Sequence, residues 1–204
     1  MSEQPESPGW DAIVKAFETL YPGQKEYLHF GTLISWRLGG NDPLEGISIY
    51  DGGDFYHFVS LGFSDLFEKE NEDPEWSGYG FELTMKLKKN PSIDDDELKT
   101  AAGVFQSLAR YVFESGAIFY PNEYIYTGQE TGMDSRGESK ITGFITAESG
   151  LGTIDTPNGK VQFVELVGMT DRELKSVVDK KMTAKDLLEK LPNTYTDFTR
   201  DEII

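Results

Sequence analysis

The sequence contains no cysteine and only two histidines among its 204 residues. The absence of cysteine excludes disulfides, thiolate metal sites, iron–sulfur clusters and cysteine nucleophiles, and it agrees with a reducing compartment. His29 and His57 fall in two separate predicted strands, and neither stands at a recognised metal-ligand spacing from another ligand residue. We therefore expect neither a metal site nor a cofactor.

Long apolar runs and targeting signals are also lacking. No uninterrupted stretch reaches the length of a membrane-spanning helix, which needs roughly 18 to 20 apolar residues. Residues 1–9 (MSEQPESPG) have no basic cluster and no apolar core, so they form neither a signal peptide nor a transit peptide. The sequence predicts a flexible N-terminus over residues 1–9, one domain over residues 10–204, and a soluble cytoplasmic protein.

Positive charge is scarce. The chain carries 36 acidic and 19 basic residues, a formal charge of −17. Such a surface repels nucleic-acid phosphates and anionic membranes and attracts basic partners. We therefore expect no nucleic acid and no membrane as partner, and the alternative is that the charge serves solubility alone.

The periodicity of the apolar residues predicts a mixture of helices and strands without a regular βαβ alternation. An amphipathic stripe runs over residues 10–21, a longer one follows Asp94, and Asn158-Gly159 marks a hairpin turn. These patterns predict an α+β fold: a single domain whose mixed, mainly antiparallel sheet is flanked by helices. The strands are predicted at 28–38, 47–50, 55–61, 81–87, 117–119, 124–126, 141–146 and 161–167, and two short C-terminal helices at 171–178 and 184–191.

Catalytic motifs are missing from the chain. There is no Gly-x-Ser-x-Gly elbow, no phosphate-binding loop and no dinucleotide fingerprint. The acidic run 94–97 fits a helix N-terminus better than a calcium loop. His57 with Ser64 and Asp65 could form a triad, but satisfying backbone groups at a strand end is the favoured role. We expect no enzyme, and a small hydrolase with converging carboxylates is the alternative.

Four segments together carry a family resemblance. They are residues 36–44 (WRLGGNDPL), 57–66 (HFVSLGFSDL), 77–88 (SGYGFELTMKLK) and 108–113 (LARYVF). Their order and spacing resemble the Suppressor of fused family, over nearly the whole chain from about Trp10. The resemblance implies the fold of the family's N-terminal domain.

The resemblance also implies a role in binding proteins. Animal members restrain transcription factors of the Hedgehog pathway by clamping a peptide between two domains, and this chain ends at Ile204, so we do not expect the same clamp. Short bacterial members are implied to be immunity proteins. We expect a non-catalytic immunity protein that neutralises a basic toxin or effector by stoichiometric binding. The alternative is a regulator that adds an extended peptide of its partner to a sheet edge as a strand.

Most motif residues are expected to be structural, as turn formers, backbone acceptors or strand positions. Alternation along the third segment puts Glu82, Thr84 and Lys86 on one strand face, which is either solvated or read by a partner. The residues expected to have structural roles are Gly39, Gly40, Asp42, Pro43, His57, Gly62, Ser64, Asp65, Gly80 and Glu82.

The stretch 65–75 is the most acidic part of the chain, with six acids and one lysine. It contains Pro74 and little apolar periodicity, so an exposed loop is predicted. An acidic loop that ends in aromatic residues suits contact with a basic protein, because carboxylates attract basic side chains and aromatic rings can fill a pocket on the partner. The alternative is that Trp76 turns inward and the acids are solvated. The predicted contact residues are Asp65, Glu68, Glu70, Glu72, Asp73, Trp76 and Tyr79.

Overall fold

A computed structural model describes residues 6–26 and 28–204, and within them it contains seven β-strands and four α-helices. The strands form one sheet in the order β1-β2-β3-β4-β7-β6-β5. Neighbouring strands are antiparallel, except that β4 and β7 are parallel. The predicted α+β class with a mixed, mainly antiparallel sheet is confirmed. The strands are β1 (Leu28–Gly31), β2 (Gly46–Asp51), β3 (Phe55–Leu61), β4 (Trp76–Lys88), β5 (Tyr124–Ile125), β6 (Ile141–Thr156) and β7 (Gly159–Thr170).

Three of the four described helices begin after a residue whose side chain caps the helix. The Asp94 side chain accepts a hydrogen bond from the backbone N–H of Glu97, and Gly116 ends the same helix in the left-handed conformation. Thr170 and Thr183 cap the two C-terminal helices. The helices are α1 (Pro8–Leu20), α2 (Asp95–Ser115), α3 (Asp171–Val178) and α4 (Ala184–Lys190), and one 3-10 turn spans Trp36–Leu38.

Helices cover both faces of the sheet. Phe58 and Val164 pack in the core that α2 covers, whereas their neighbours Val59 and Phe163 pack in the core that α1 covers. Successive strand residues point to opposite faces, so α2 and α1 lie on opposite sides of the sheet. The short helices α3 and α4 contribute a third apolar cluster with β6 and β7.

Three local predictions differ from the structure. The strand predicted over 28–38 ends at Gly31, and the rest of it forms a loop that contains the 3-10 turn. Residues 117–119 form no strand. Glu82 and Thr84 are fully buried, so the strand face that we expected to be solvated or read by a partner is covered. The face is covered because α1 and the C-terminal helices pack on this side of the sheet.

The predicted flexible segment 1–9 overlaps α1. Residues 1–5 lie outside the described part of the chain, whereas Pro8 and Gly9 belong to the helix. The backbone N–H of Gly9 donates to the carbonyl of Leu66 at 2.9 Å. A Cβ at Gly9 would lie 2.2 Å from the carbonyl oxygen of Asp65, so only glycine allows this contact between α1 and the acidic loop.

Candidate protein-binding surfaces

The four segments that carry the resemblance meet at one groove. It lies between residues 36–45 and residues 62–79, has a volume of about 460 Å³, and is called the Trp36 groove below. Segments that are far apart along the chain thus share one surface. Its lining includes Trp36, Pro43, Gly62, Ser64, Tyr79 and Phe113.

A buried carboxylate holds the floor of this groove in place. Glu82 on β4 accepts hydrogen bonds from the backbone N–H groups of Gly62 (3.0 Å) and Ser64 (2.9 Å). It also accepts from the hydroxyls of Ser64 (2.7 Å) and Ser60 (2.5 Å). Burial raises the pKa of Glu82, while these hydrogen bonds act in the opposite direction. Glu82 is therefore a structural acceptor that shapes the chain after β3.

Helix α2 holds the opposite wall through two polar side chains. The amide of Gln106 bonds both the N–H (3.2 Å) and the carbonyl (3.1 Å) of Leu44. Arg110 pairs with Asp42 at 2.6 Å. Asp42 was expected to accept from backbone amides, and the structure gives it a guanidinium instead.

The glycines of the first and third segments also have structural roles. Gly39 adopts the left-handed conformation at the end of the 3-10 turn, with φ of 88°. A Cβ at Gly40 would lie 1.9 Å from the carbonyl oxygen of Ile34. Gly80 has φ of 82° and lies against the Trp76 ring.

The acidic stretch 65–75 is a loop, as predicted, and residues 68–70 and 72–75 are exposed. The Asp65 carboxylate accepts from the backbone N–H groups of Glu70 and Gly78, both at 3.0 Å. The Asp73 carboxylate accepts from the N–H groups of Glu75 and Trp76, and these bonds lower its pKa. Two of the five acids that we predicted as contacts therefore build the loop itself.

The other three predicted acids face outward. Glu70 forms an ion pair with Arg37 across the mouth of the Trp36 groove. Glu68 and Glu72 are exposed and make no hydrogen bond or ion pair within residues 6–26 and 28–204. These three carboxylates supply the negative charge that a partner could meet.

Both predicted aromatic anchors are partly buried. The Tyr79 ring lies 5.1 Å from the Phe113 ring, and its edge lines the Trp36 groove. Trp76 and Tyr79 also line a neighbouring cavity of about 430 Å³, together with Ile118 and Tyr120. Tyr79 thus separates two concave surfaces.

A second surface lies beside β5, the last strand of the sheet. Tyr124 on this strand is 48% exposed, and the segment that leads into the strand exposes Ile118 (41%) and Tyr120 (53%). Tyr111 on α2 is 55% exposed. Tyr111 lies next to that segment, since its ring stacks on the ring of buried Phe119, 6.3 Å away. These exposed residues with the strand are called the β5 edge below.

Comparison with known proteins identifies the family. The family model for the Suppressor of fused protein matches residues 40–201. The chain belongs to the Suppressor of fused family. The Suppressor of fused homologs of Homo sapiens and Mus musculus are each 31% identical to it over 219 residues. The match covers 96% of this chain and 44% of each homolog, so the chain spans less than half of their length.

Solved structures of the family share the fold. A chain of the Sufu-Fu complex crystal structure superimposes with a TM-score of 0.82 at 28% identity, covering 97% of this chain and 93% of that one. The crystal structure of Drosophila Suppressor of Fused gives 0.81 at 28% identity, covering 97% and 51% respectively. The predicted likeness to the family is confirmed.

His57, within the second segment, is buried away from the groove. Its Nδ1 lies 2.7 Å from the Tyr21 hydroxyl, and burial, with Lys86 nearby, lowers its pKa to about 3. The hydroxyl of Ser64 donates instead to Glu82, so His57 and Ser64 have different partners. The contacts of His57 and of the Ser64 hydroxyl are with other side chains, and of the three residues only Asp65 has a side chain that bonds backbone groups, as expected.

Sequence reasoning missed two features. The first is an ion pair at 2.8 Å between Lys86 on β4 and the buried Glu165 on β7, which faces Thr84, two positions before Lys86 on the same strand face. The second is the β5 edge, whose signal was the apolar run 118–120 (IFY) before Pro121. In the described part of the chain no three His, Asp or Glu side chains gather to hold a metal ion. No described helix is long and apolar enough to cross a membrane.

Proposed function

We propose that this chain is a non-catalytic protein-binding domain that captures an extended segment of a partner protein as an added strand on β5. The observation that carries the proposal is the β5 edge. Within the described residues β5 pairs only with β6, Tyr124 on the strand is 48% exposed, and Tyr120 just before it is 53% exposed. Strand addition uses this combination, because backbone hydrogen bonds supply affinity and flanking side chains supply specificity.

The comparisons support partner capture more than toxin neutralisation. One related structure is that of a Sufu-Fu complex, in which a relative is bound to another protein. Our expectation of an immunity protein with a basic toxin as partner has no counterpart among these relatives. We therefore favour the regulator that was the alternative in the sequence analysis.

The surroundings of the buried acids support binding rather than catalysis. Glu82 accepts from two serines and the backbone, Glu165 pairs with Lys86, and Glu173 pairs with Arg200. Each of these carboxylates is engaged inside the fold by its own partners. A carboxylate-based hydrolase needs two acids that converge on a substrate.

The test begins with 12-residue peptides selected from a random displayed library against the intact chain. N-methylation of alternate residues in a selected peptide blocks one of the two hydrogen-bonding faces of a strand. Strand addition predicts that one N-methyl pattern abolishes binding and the other leaves it intact. Equal binding of both patterns would contradict the proposal.

Variants of the domain locate the contact. The double variant Tyr111→Ser, Tyr124→Ser removes two exposed rings and should weaken binding at least tenfold, or about 1.4 kcal/mol. Leu20→Ser is the matched control, because Leu20 is similarly exposed (44%) but lies on α1. Unchanged affinity in the double variant would place the peptide elsewhere.

A further inference from the structure

A second cavity lies on the other side of Tyr79 from the Trp36 groove, and it is called the Trp76 pocket below. Strand β4 supplies Trp76, Tyr79 and Phe81 to its lining, and the segment before β5 supplies Phe119 and Tyr120. The volume is about 430 Å³, within the range of about 300 to 1,000 Å³ that is typical of ligand sites. Aromatic side chains therefore line a space that a small molecule can fill.

Packing fixes the inner end of this pocket, and its rim is open. Phe81 and Phe119 are buried, with their rings edge to face at 5.9 Å. Trp76 and Tyr79 are partly exposed, and Tyr120 is exposed. A ligand can thus reach three rings without displacing the core.

Local contacts hold Trp76 at the rim. Gly80 has φ of 82°, and a Cβ at this position would lie 3.2 Å from Cε3 of the Trp76 ring. A side chain at position 80 would therefore crowd the ring. The backbone N–H of Trp76 donates to the Asp73 carboxylate at 3.1 Å. The tryptophan and the carboxylate thus belong to one hydrogen-bonded turn.

Asp73 gives the pocket a negative charge. One of its carboxylate oxygens accepts from two backbone N–H groups, and these bonds lower the pKa of Asp73, so it is ionised at neutral pH. The nearby ammonium of Lys69 is held by the Asn71 side chain (2.8 Å) and by the carbonyl of Trp76 (2.7 Å), outside the lining. Among the described residues Asp73 is the only charged side chain that lines the pocket.

Aromatic faces beside one carboxylate select a cation. The face of an aromatic ring attracts a cation within about 6 Å of its centre, and the carboxylate adds charge complementarity while it repels phosphates. An ammonium with N–H groups is strongly hydrated and would lose hydrogen bonds to water in such a site. A quaternary ammonium has no N–H donor, so ring faces can replace its water shell.

One polar side chain is free to bond the rest of such a ligand. Gln162 on β7 lines the pocket, and its amide makes no hydrogen bond within residues 6–26 and 28–204. An amide both donates and accepts, so it can bond a hydroxyl or a carboxylate close to the ammonium.

We propose that the Trp76 pocket binds a small organic cation with a quaternary ammonium group, such as choline. The ammonium lies against Trp76, Tyr79 and Tyr120, and Asp73 balances its charge. The pocket shares Ile118 and Tyr120 with the β5 edge, but this binding needs no strand added to β5. The two proposals can therefore fail separately.

Choline and its neutral isostere test the proposal on the intact chain. In 3,3-dimethylbutan-1-ol a carbon atom replaces the ammonium nitrogen, so the shape is kept and the charge is lost. Incorporation of 5-fluorotryptophan gives resonances for Trp10, Trp36 and Trp76, which are assigned by substituting one tryptophan at a time. At constant ionic strength choline should shift Trp76 and bind at least tenfold more tightly than the alcohol, or about 1.4 kcal/mol. Trp10 on α1 and Trp36 in the groove should not shift.

Two variants separate the charge from the rings. Asp73→Asn keeps the oxygen that accepts from the backbone and removes the charge, so it should weaken choline binding about two- to fivefold. Tyr120→Leu keeps an apolar side chain and removes one ring face, and it should cause a similar loss. Neither variant should change the affinity for the alcohol by as much. Tyr124→Leu is the matched control, because Tyr124 is similarly exposed but lies outside the pocket lining.

The proposal is overturned if choline in the millimolar range does not shift Trp76, or if choline and the alcohol bind equally. It is equally overturned if Asp73→Asn leaves choline binding unchanged, or if Tyr124→Leu weakens binding as much as Tyr120→Leu does. The peptides of the strand-addition test take no part in these titrations, so failure of one proposal leaves the other standing.

Discussion

The buried carboxylate of Glu82 tests how the sheet shapes the Trp36 groove. One oxygen accepts from the N–H groups of Gly62 and Ser64 and from the Ser64 hydroxyl, and the other accepts from Ser60. Glu82→Met has a similar volume and removes every acceptor. Glu82→Gln retains one carbonyl oxygen, which can still accept from the N–H groups of Gly62 and Ser64 and from the Ser64 hydroxyl.

The magnitude follows from the donors that are left without a partner. The N–H groups of Gly62 and Ser64 cannot rotate away, and each unsatisfied buried donor costs about 1–3 kcal/mol. Glu82→Met should therefore lower the free energy of unfolding by about 2–6 kcal/mol. Only the rotatable Ser60 hydroxyl loses its acceptor in Glu82→Gln, so the loss should stay below about 2 kcal/mol.

The pKa of Glu82 adds a pH signature. Because burial raises it, the folded chain holds this proton more strongly than the unfolded chain. The contribution of Glu82 to stability is thus complete below its ordinary pKa and is lost as the pH rises through the raised value. Glu82→Gln does not titrate, so this slope should be absent from the variant.

Urea unfolding followed by circular dichroism measures the stabilities, and amide exchange at Gly62 and Ser64 reports on the groove. Glu75→Gln is the control, because Glu75 forms an exposed ion pair with Lys160 and the substitution should leave stability unchanged. Equal stabilities for the Met and Gln variants, or protected amides in Glu82→Met, would refute the role of Glu82 as the acceptor that holds the groove floor.

Two further predictions concern His57 and the acidic loop. The folded chain keeps His57 neutral down to about pH 3. Between that pH and 6.5 the unfolded chain binds more protons than the folded chain, so the free energy of unfolding decreases as the pH is lowered. Lowering the pH from 7.5 to 5 should therefore cost the parent chain about 2 kcal/mol more than it costs the His57→Gln variant, as measured by urea titration. In the loop, Asp65→Ala should cost about 1–2 kcal/mol, as for a lost cap, whereas Glu68→Gln with Glu72→Gln should stay within about 0.5 kcal/mol. Equal thermal shifts for the two loop changes would contradict the division of roles.

Helices and strands whose ends are marked by a capping residue or a tight turn could be predicted from the sequence. Asp94 and Gly116 bound α2, and the turn at Asn158-Gly159 joins β6 to β7, because capping and tight turns depend on residues a few positions apart. The exposed face predicted for β4 was wrong, because the burial of a strand face depends on elements that are distant in the sequence. Helix α1, which packs on this face, is separated from β4 by three strands along the chain, and the alternation around Glu82 carries no information about it.

The loop 32–38 shows a second limit of local patterns. Aromatic and β-branched residues predicted a strand, since a strand in a core and a surface that contacts a partner use the same side chains. The structure ends the strand at Gly31 and leaves Leu33 and Leu38 in solvent. The composition of this segment indicates that its apolar side chains are buried against something. Only the fold shows that they do not pack against the rest of this chain.

The acidic loop shows how side-chain length divides one charge cluster into two roles. An Asp carboxylate is short and reaches backbone N–H groups nearby in its own turn, as Asp73 does with Glu75 and Trp76. The longer Glu side chains carry their charge away from the backbone, as at Glu68 and Glu72. Replacing every acid in this loop would therefore change the conformation of the loop and its charge at once, and the two effects on binding could not be separated. Substituting the glutamates alone measures the charge that a partner meets, and substituting the aspartates measures the loop that positions it.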